Sequence, residues 1–164
     1  MGAVRNILLI IHIISAGLWI TEEFISFIMR RLIAANRGKP AELTLANATL
    51  VINGTFGPLA SMGILLTGIG MTLNNGWVLL GIGGYTPGWL FVKQVIYIVL
   101  IVFVMVVLRP QSEKLAAAFK AATSDGSMID EARELGSRMW TLGTIHSLIV
   151  LVNIILAVWK PAIG

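Results

Sequence analysis

The stretch Ile7 to Met29, ILLIIHIISAGLWITEEFISFIM, decides the fold. About 20 apolar residues at 1.5 Å each are enough to cross a ~30 Å hydrocarbon core, and this run qualifies. Yet it carries three ionisable side chains, His12, Glu22 and Glu23. A charged group at the membrane centre costs about 2.5–3.5 kcal/mol even on the most lenient scale, so such residues face a bundle interior, a cofactor or an aqueous path. The segment is therefore a transmembrane helix with chemistry on one side.

Three later stretches are equally apolar. Of the 164 residues, 57% are hydrophobic and only 12% charged, whereas a soluble domain carries about 25% charged residues. One membrane bundle accounts for the whole length. No cysteine is present, which excludes disulfides, thiolate metal sites, iron–sulfur clusters and covalent c-type haem. The net charge of +4 suggests nucleic acid until the basic residues are located. They cluster at the ends of apolar segments, so no nucleic-acid partner is expected. Met1 to Ile20 has the layout of a signal peptide with Arg5 as its basic region, but without an A-x-A cleavage site it is assigned to the first helix.

The punctuation predicts a single domain over 1–164 with helices at about 5–35, 40–73, 88–122 and 128–159. Asn36-Arg37-Gly38-Lys39-Pro40 makes the first turn, Asn74-Asn75-Gly76 closes the second helix, and Arg109-Pro110 ends the third crossing before a more polar stretch from Ser112 to Ala122. Thr123-Ser124-Asp125-Gly126 makes the last turn. The first and third connections are rich in Arg and Lys, while 75–87 has no charge. The positive-inside rule then places both charged turns in the cytoplasm and both termini outside. Trp77, Tyr85 and Trp89 fit an outer aromatic belt. The fold class is all-α: a multi-pass integral membrane four-helix bundle of two long hairpins, in an inner (plasma) membrane of bacterial or archaeal type. Gly54, Gly57, Ser61, Gly63, Thr67, Gly68 and Gly70 make the second helix central, because small residues let helices approach closely in lipid. Pro58 is expected to kink it.

At 100° per residue, His12, Trp19 and Glu23 fall within about 40° of one face, with Glu22 about 100° from Glu23. Depth sorts the ionisable groups into an outer layer of His12 and Lys93 and an inner layer of Glu22, Glu23 and His146. Two histidines on one iron need nitrogens about 4 Å apart; His12 and His146 differ by roughly 8 Å in depth. A bis-histidine haem is thus disfavoured, while a haem with one histidine ligand stays open. So does a divalent metal site drawing on His12, His146, Glu22 and Glu23, although no Glu-x-x-His pair is present. The plain alternatives are a satisfied neutral histidine at each position, carboxylates paired with Arg30 or Arg138, and a Lys93 that snorkels to the headgroups. Glu23 and His146, at matched depth, are expected to pair and share a proton.

Several motifs line up with a known group. His12-Ile-Ile-Ser-Ala-Gly-Leu-Trp19 resembles the H-x6-W start of small four-helix membrane proteins of the HemJ-type protoporphyrinogen oxidase and CopD-type copper-resistance kinds. Pro58 with Leu65-Leu66-Thr67-Gly68-Ile69-Gly70 is similar to their Pro-then-Thr/Gly pattern. Gly88-Trp89-Leu90-Phe91-Val92-Lys93 resembles G-W-L-x-x-K, and Lys160-Pro161 is similar to their close. Where HemJ-type proteins carry Asn-Glu-x-Pro, this chain has Gly143-Thr144-Ile145-His146, and Thr21-Glu22-Glu23 replaces their small residues after the helix-1 Trp. The resemblance implies a haem b-associated protein with His12, Trp19 and Lys93 binding the cofactor, Lys93 as the catalytic residue, and a quinone among its partners. Three functions follow as expectations: a haem-associated redox protein engaged in electron transfer or porphyrin oxidation; a metal-ion or proton conduit using Glu22, Glu23 and His146; and a non-catalytic subunit of a larger membrane complex or homo-oligomer. The sequence leaves open whether the protein is an enzyme.

Overall fold

In the computed structural model, residues 2–125 and 129–162 are described. The chain is all-helical apart from its turns. Helix α1 spans Gly2–Ala35, α2 Pro40–Asn74, α3 Gly88–Phe103, α4 Arg109–Asp125 and α5 Ile129–Trp159. A π-helical turn, Val104–Leu108, joins α3 to α4, so these form one continuous rod. Four of the resulting helices are long and apolar enough to cross a membrane.

The local causes are visible. Pro40 opens α2, where its missing N–H costs nothing. Gly38 and Gly76 take φ of +78° and +72° at the two turns, values that cost a residue with a Cβ. The turn expected at Thr123–Gly126 is instead helix through Asp125. The Thr123 and Ser124 hydroxyls donate to the Phe119 and Ala121 carbonyls of their own helix, so they do not break it. Gly126 and the expected helix start at Met128 lie outside the described residues.

Pro110 lies inside the continuous helix, in keeping with the expected helix over about 88–122. It supplies no N–H, and its ring would collide with the carbonyl four residues back in a regular α-helix. The π-turn absorbs this: the Arg109 N–H reaches back to the Val104 carbonyl.

The helices form a ring: α1 beside α2, α2 beside α3 through Tyr97 Oη donating to the Ser61 carbonyl (2.7 Å), α3 beside α5, and α5 beside α1. At one end Trp77 meets Trp89 edge-on at 6.1 Å, and Lys160 lies over Trp89. There Val78 donates its N–H to the Tyr85 carbonyl and Gln94 accepts from Leu80, ordering the uncharged loop. At the other end Ala46, Leu115, Ala118, Phe119 and Ala132 make the only cluster of buried apolar side chains found among the described residues. That placement has a physical reason. Apolar burial gains free energy where the alternative is water, and this cluster sits on the polar ends of α4 and α5. Elsewhere large side chains such as Ile14, Phe24, Leu59, Val106 and Val158 point outward, as lipid as the solvent allows.

The N-terminal end of α1, the 75–87 loop and the C-terminal end of α5 thus share one end of the bundle, opposite the basic turns. Cysteine accessibility labelling in intact cells is expected to reach position 82 from outside and position 38 only after permeabilisation; labelling of both from one side would reverse this assignment.

Candidate functional site

The seam between α1 and α2 organises the polar residues. Leu8 lies against Gly70, His12 against Thr67, Ser15 against Gly63, Glu22 against Gly57 and Ser26 against Asn53. Positions 8, 12, 15, 19, 22 and 26 alternate steps of four and three, the spacing that keeps one helix face against an antiparallel neighbour. Closeness is set by glycine: a Cβ on Gly63 would fall 2.2 Å from Ser15 Oγ. The expected grouping of His12, Trp19 and Glu23 therefore shifts. Glu22 belongs to the seam with His12, while Glu23 turns towards α5, with Ser147 as a polar neighbour.

At the outer layer, His12 Nδ1 is 2.8 Å from Thr67 Oγ1. The Thr67 hydroxyl in turn donates to the Gly63 carbonyl at 2.5 Å. One hydroxyl has one hydrogen, so with that hydrogen on the Gly63 carbonyl Thr67 accepts from His12, which places the proton of the neutral ring on Nδ1. In that tautomer Nε2 carries the free lone pair. Lys93 on α3 is close enough for charge interaction with both His12 and Lys160. Asn153 on α5 donates weakly to the Lys93 carbonyl at 3.4 Å, and its Oδ1 is buried with no partner among the described residues. None of the eight acidic residues precedes Glu22 in α1, lies within α3, or follows Glu134 in α5. This layer is positive and has no internal counter-ion.

His146 occupies a different layer. Its ring lies 5.4 Å from Trp19 and is stacked on Phe103 at 6.5 Å, and it is 8% exposed. It sits among aromatic rings, with Trp19 seven residues along α1 from His12, about 10 Å in rise. No hydrogen bond links Glu23 to His146 among the described residues. Likewise, no group of three or more His, Asp or Glu side chains there is gathered as a metal ion requires. Glu22, Glu23 and His146 are thus not gathered as one ligand set among the described residues: Glu22 faces Gly57 of α2, and the His146 ring lies beside Trp19 and Phe103. Nor do Arg30 and Arg138 neutralise the two carboxylates: Arg30 stacks on Trp140 at 4.1 Å and Arg138 pairs with Glu134.

Sequence reasoning missed Thr67 as the partner of His12, and Asn153 and Phe103 altogether. Asn153 had a signal, being an amide inside the most apolar part of the last crossing. Thr67 was visible only as one small residue among glycines.

A family model described as "Predicted integral membrane protein (DUF2269)" matches residues 6–161. No curated protein matches the chain. No solved structure matches it either.

Proposed function

The chain belongs to this DUF2269 family of predicted integral membrane proteins, and from that premise we propose that it is a haem-associated membrane redox protein, with His12 as the iron ligand and Lys93 facing an anionic edge of the cofactor. The observation that carries this reading is the Gly63–Thr67–His12 chain of hydrogen bonds. Ligating histidines commonly donate their other N–H to such a partner, which fixes the tautomer and aims the lone pair. His12 has that arrangement, and its side chain is only half-buried, so the layer is not sealed.

The donor set fits a haem held by one histidine. His146, stacked on Phe103 and tilted against Trp19, belongs to another layer and offers no second ligand. Lys93 and Lys160 supply positive charge where the chain provides no carboxylate, which favours propionates. A bound haem would supply reversible one-electron transfer. The protein's own part is to orient the His12 ring through Thr67, to offset the negative charge through Lys93, and to keep Asn153 Oδ1 ready for a donor.

A visible spectrum of the detergent-purified protein tests this. A Soret band is expected, lost in His12→Ala and retained in His146→Ala. Thr67→Val is expected to weaken haem binding by about 10–100-fold, the usual effect of removing such a supporting group. Protein from haem-replete cells without a Soret band, or with equal bands in both histidine variants, would overturn the reading.

A further inference from the structure

Glu22 is not used by the proposed haem site, and its surroundings are unusual. Its carboxylate oxygens lie 3.3 and 3.4 Å from where a Cβ on Gly57 would stand. Oε2 is buried and has no hydrogen-bond partner among the described residues. A carboxylate oxygen in that state pays the full cost of desolvation, with nothing to offset it. The next residue of α2 is Pro58, inside an unbroken helix. Proline has no N–H, so the Gly54 carbonyl, which would accept from residue 58, is left without its helical donor. That carbonyl belongs to the same turn that Gly57 closes. An acceptor lacking a donor and a carboxyl lacking a partner therefore fall within one turn of α2, the carboxyl against Gly57 and the free carbonyl three residues before it.

We propose that Glu22 is a reversible proton-binding site within the membrane, in which the protonated carboxyl donates its O–H to the carbonyl that Pro58 frees at Gly54. In loading, a proton from water at the basic end forms an O–H bond with the carboxylate; in unloading, that bond breaks and the proton returns to water. No electron moves. The polar lead-in is present: Ser26 Oγ donates to Asn53 Oδ1 at 2.9 Å, one turn nearer the basic end, and Glu23 with Ser147 lies on the α5 side.

The ionisable groups around Glu22 are few. Glu23 is its neighbour on α1. On α2 the sole ionisable residue is Glu42, about four turns from Gly57. On α5 the group at this level is His146, which faces Trp19 and Phe103. On α3 the level is taken by Phe103, with Tyr97 donating to the Ser61 carbonyl of α2, Lys93 farther towards the outer end and Arg109 six residues towards the basic end. Among the described residues no cation pairs with the carboxyl and no set of three or more His, Asp or Glu ligands gathers for a metal, so a proton is the occupant that fits.

A hydrophobic carbodiimide, which reacts with protonated carboxyls from the lipid phase, tests the proposal on the full chain in lipid vesicles. Peptide mass analysis after treatment at neutral pH is expected to find the adduct on Glu22 and several-fold less on Glu23. Pro58→Ala returns an N–H to Gly54, and is expected to reduce labelling of Glu22 several-fold while the protein still folds. Infrared spectra give a second readout: the C=O stretch of a protonated carboxyl should vanish in Glu22→Gln and persist in Glu23→Gln. Absence of the adduct and the band, labelling unchanged in Pro58→Ala, or protection by sodium at constant ionic strength would each overturn it, the last by making this a metal-cation site. None of these readouts depends on haem.

Discussion

Gly63→Val is expected to force α1 away from α2 at the middle of their seam and to destabilise the protein strongly. Even the single methyl of Gly63→Ala would stand 2.2 Å from Ser15 Oγ and 3.0 Å from Ser15 Cβ. Ser15 is 8% exposed, so it has little room to retreat. Overpacking of this kind costs about 1–3 kcal/mol, and the two further methyl groups of valine go beyond what a change of Ser15 rotamer can relieve. Thermal unfolding in detergent, followed by circular dichroism, would show the loss. Combining Ser15→Gly with Gly63→Ala should recover most of it, since the two side chains then have nothing to collide with. Gly54→Ala is the control: nothing lies within 4 Å of its Cβ position, so no steric loss is expected there. A Gly63→Val protein as stable as the parent would mean that the seam is looser than described.

The second large effect is expected at the basic end. Arg133 of α5 donates from Nε and Nη2 to the two oxygens of Glu42 on α2, at 2.9 and 2.8 Å. Glu42 also accepts from the Gly38 N–H at 2.6 Å, so one carboxylate ties α5 to α2 and to the α1–α2 turn. Its side chain is 6% exposed and that of Arg133 26%. At 35 residues, α2 is about 52 Å long against a ~30 Å hydrocarbon core, so Glu42 in its first turn stands beyond the membrane-spanning part. Removing Arg133 leaves a buried carboxylate with a single partner. Arg133→Ala is expected to lower the thermal unfolding midpoint clearly, though by less than the loss of a partner from a fully buried pair, because Arg133 remains partly in water.

The same pair sets an acid limit. The Arg133 hydrogen bonds, aided by the Gly38 N–H, hold the Glu42 carboxyl down at about 2 instead of 4.5. A group whose folded value is depressed contributes stability that is complete above its unfolded value and disappears as pH falls through the folded one. The bundle should therefore lose stability progressively between about pH 4.5 and pH 2. Glu42→Gln should lower stability at neutral pH and flatten that slope. An unchanged slope would assign the acid sensitivity to other carboxylates.

Much of this architecture was legible before any coordinates. Hydrophobic length, turn residues and the distribution of Arg and Lys locate the helices because each reports a local constraint. What was not legible is how the helix of 88–122 passes Pro110: a π-turn carries it past the ring, and nothing local reveals that winding. The candidate site was legible in depth and not in rotation. Rise along a helix placed His12 and His146 in separate layers, as they are. Which face of α1 meets α2 was left open by the sequence, because glycines on the partner, which leave no hydrophobic signal of their own, decide it. Hence Glu22 rather than Glu23 lines the seam, and His146 found aromatic rings instead of a carboxylate.

The π-turn at Val104–Leu108 also acts as a phase step along the α3–α4 rod. It takes up one more residue than an α-turn, so everything after it keeps the angular setting of a chain one residue shorter. Leu115, Ala118 and Phe119 reach the basic-end cluster only in that setting. With Pro110→Ala the reason for the step is gone, and a return to regular winding would swing α4 by about 100°, the angle of a single residue, taking those three side chains off their partners. Deleting one residue of 104–108 in the same variant should restore the setting. A substitution and a deletion that each damage the bundle alone would then be tolerated together.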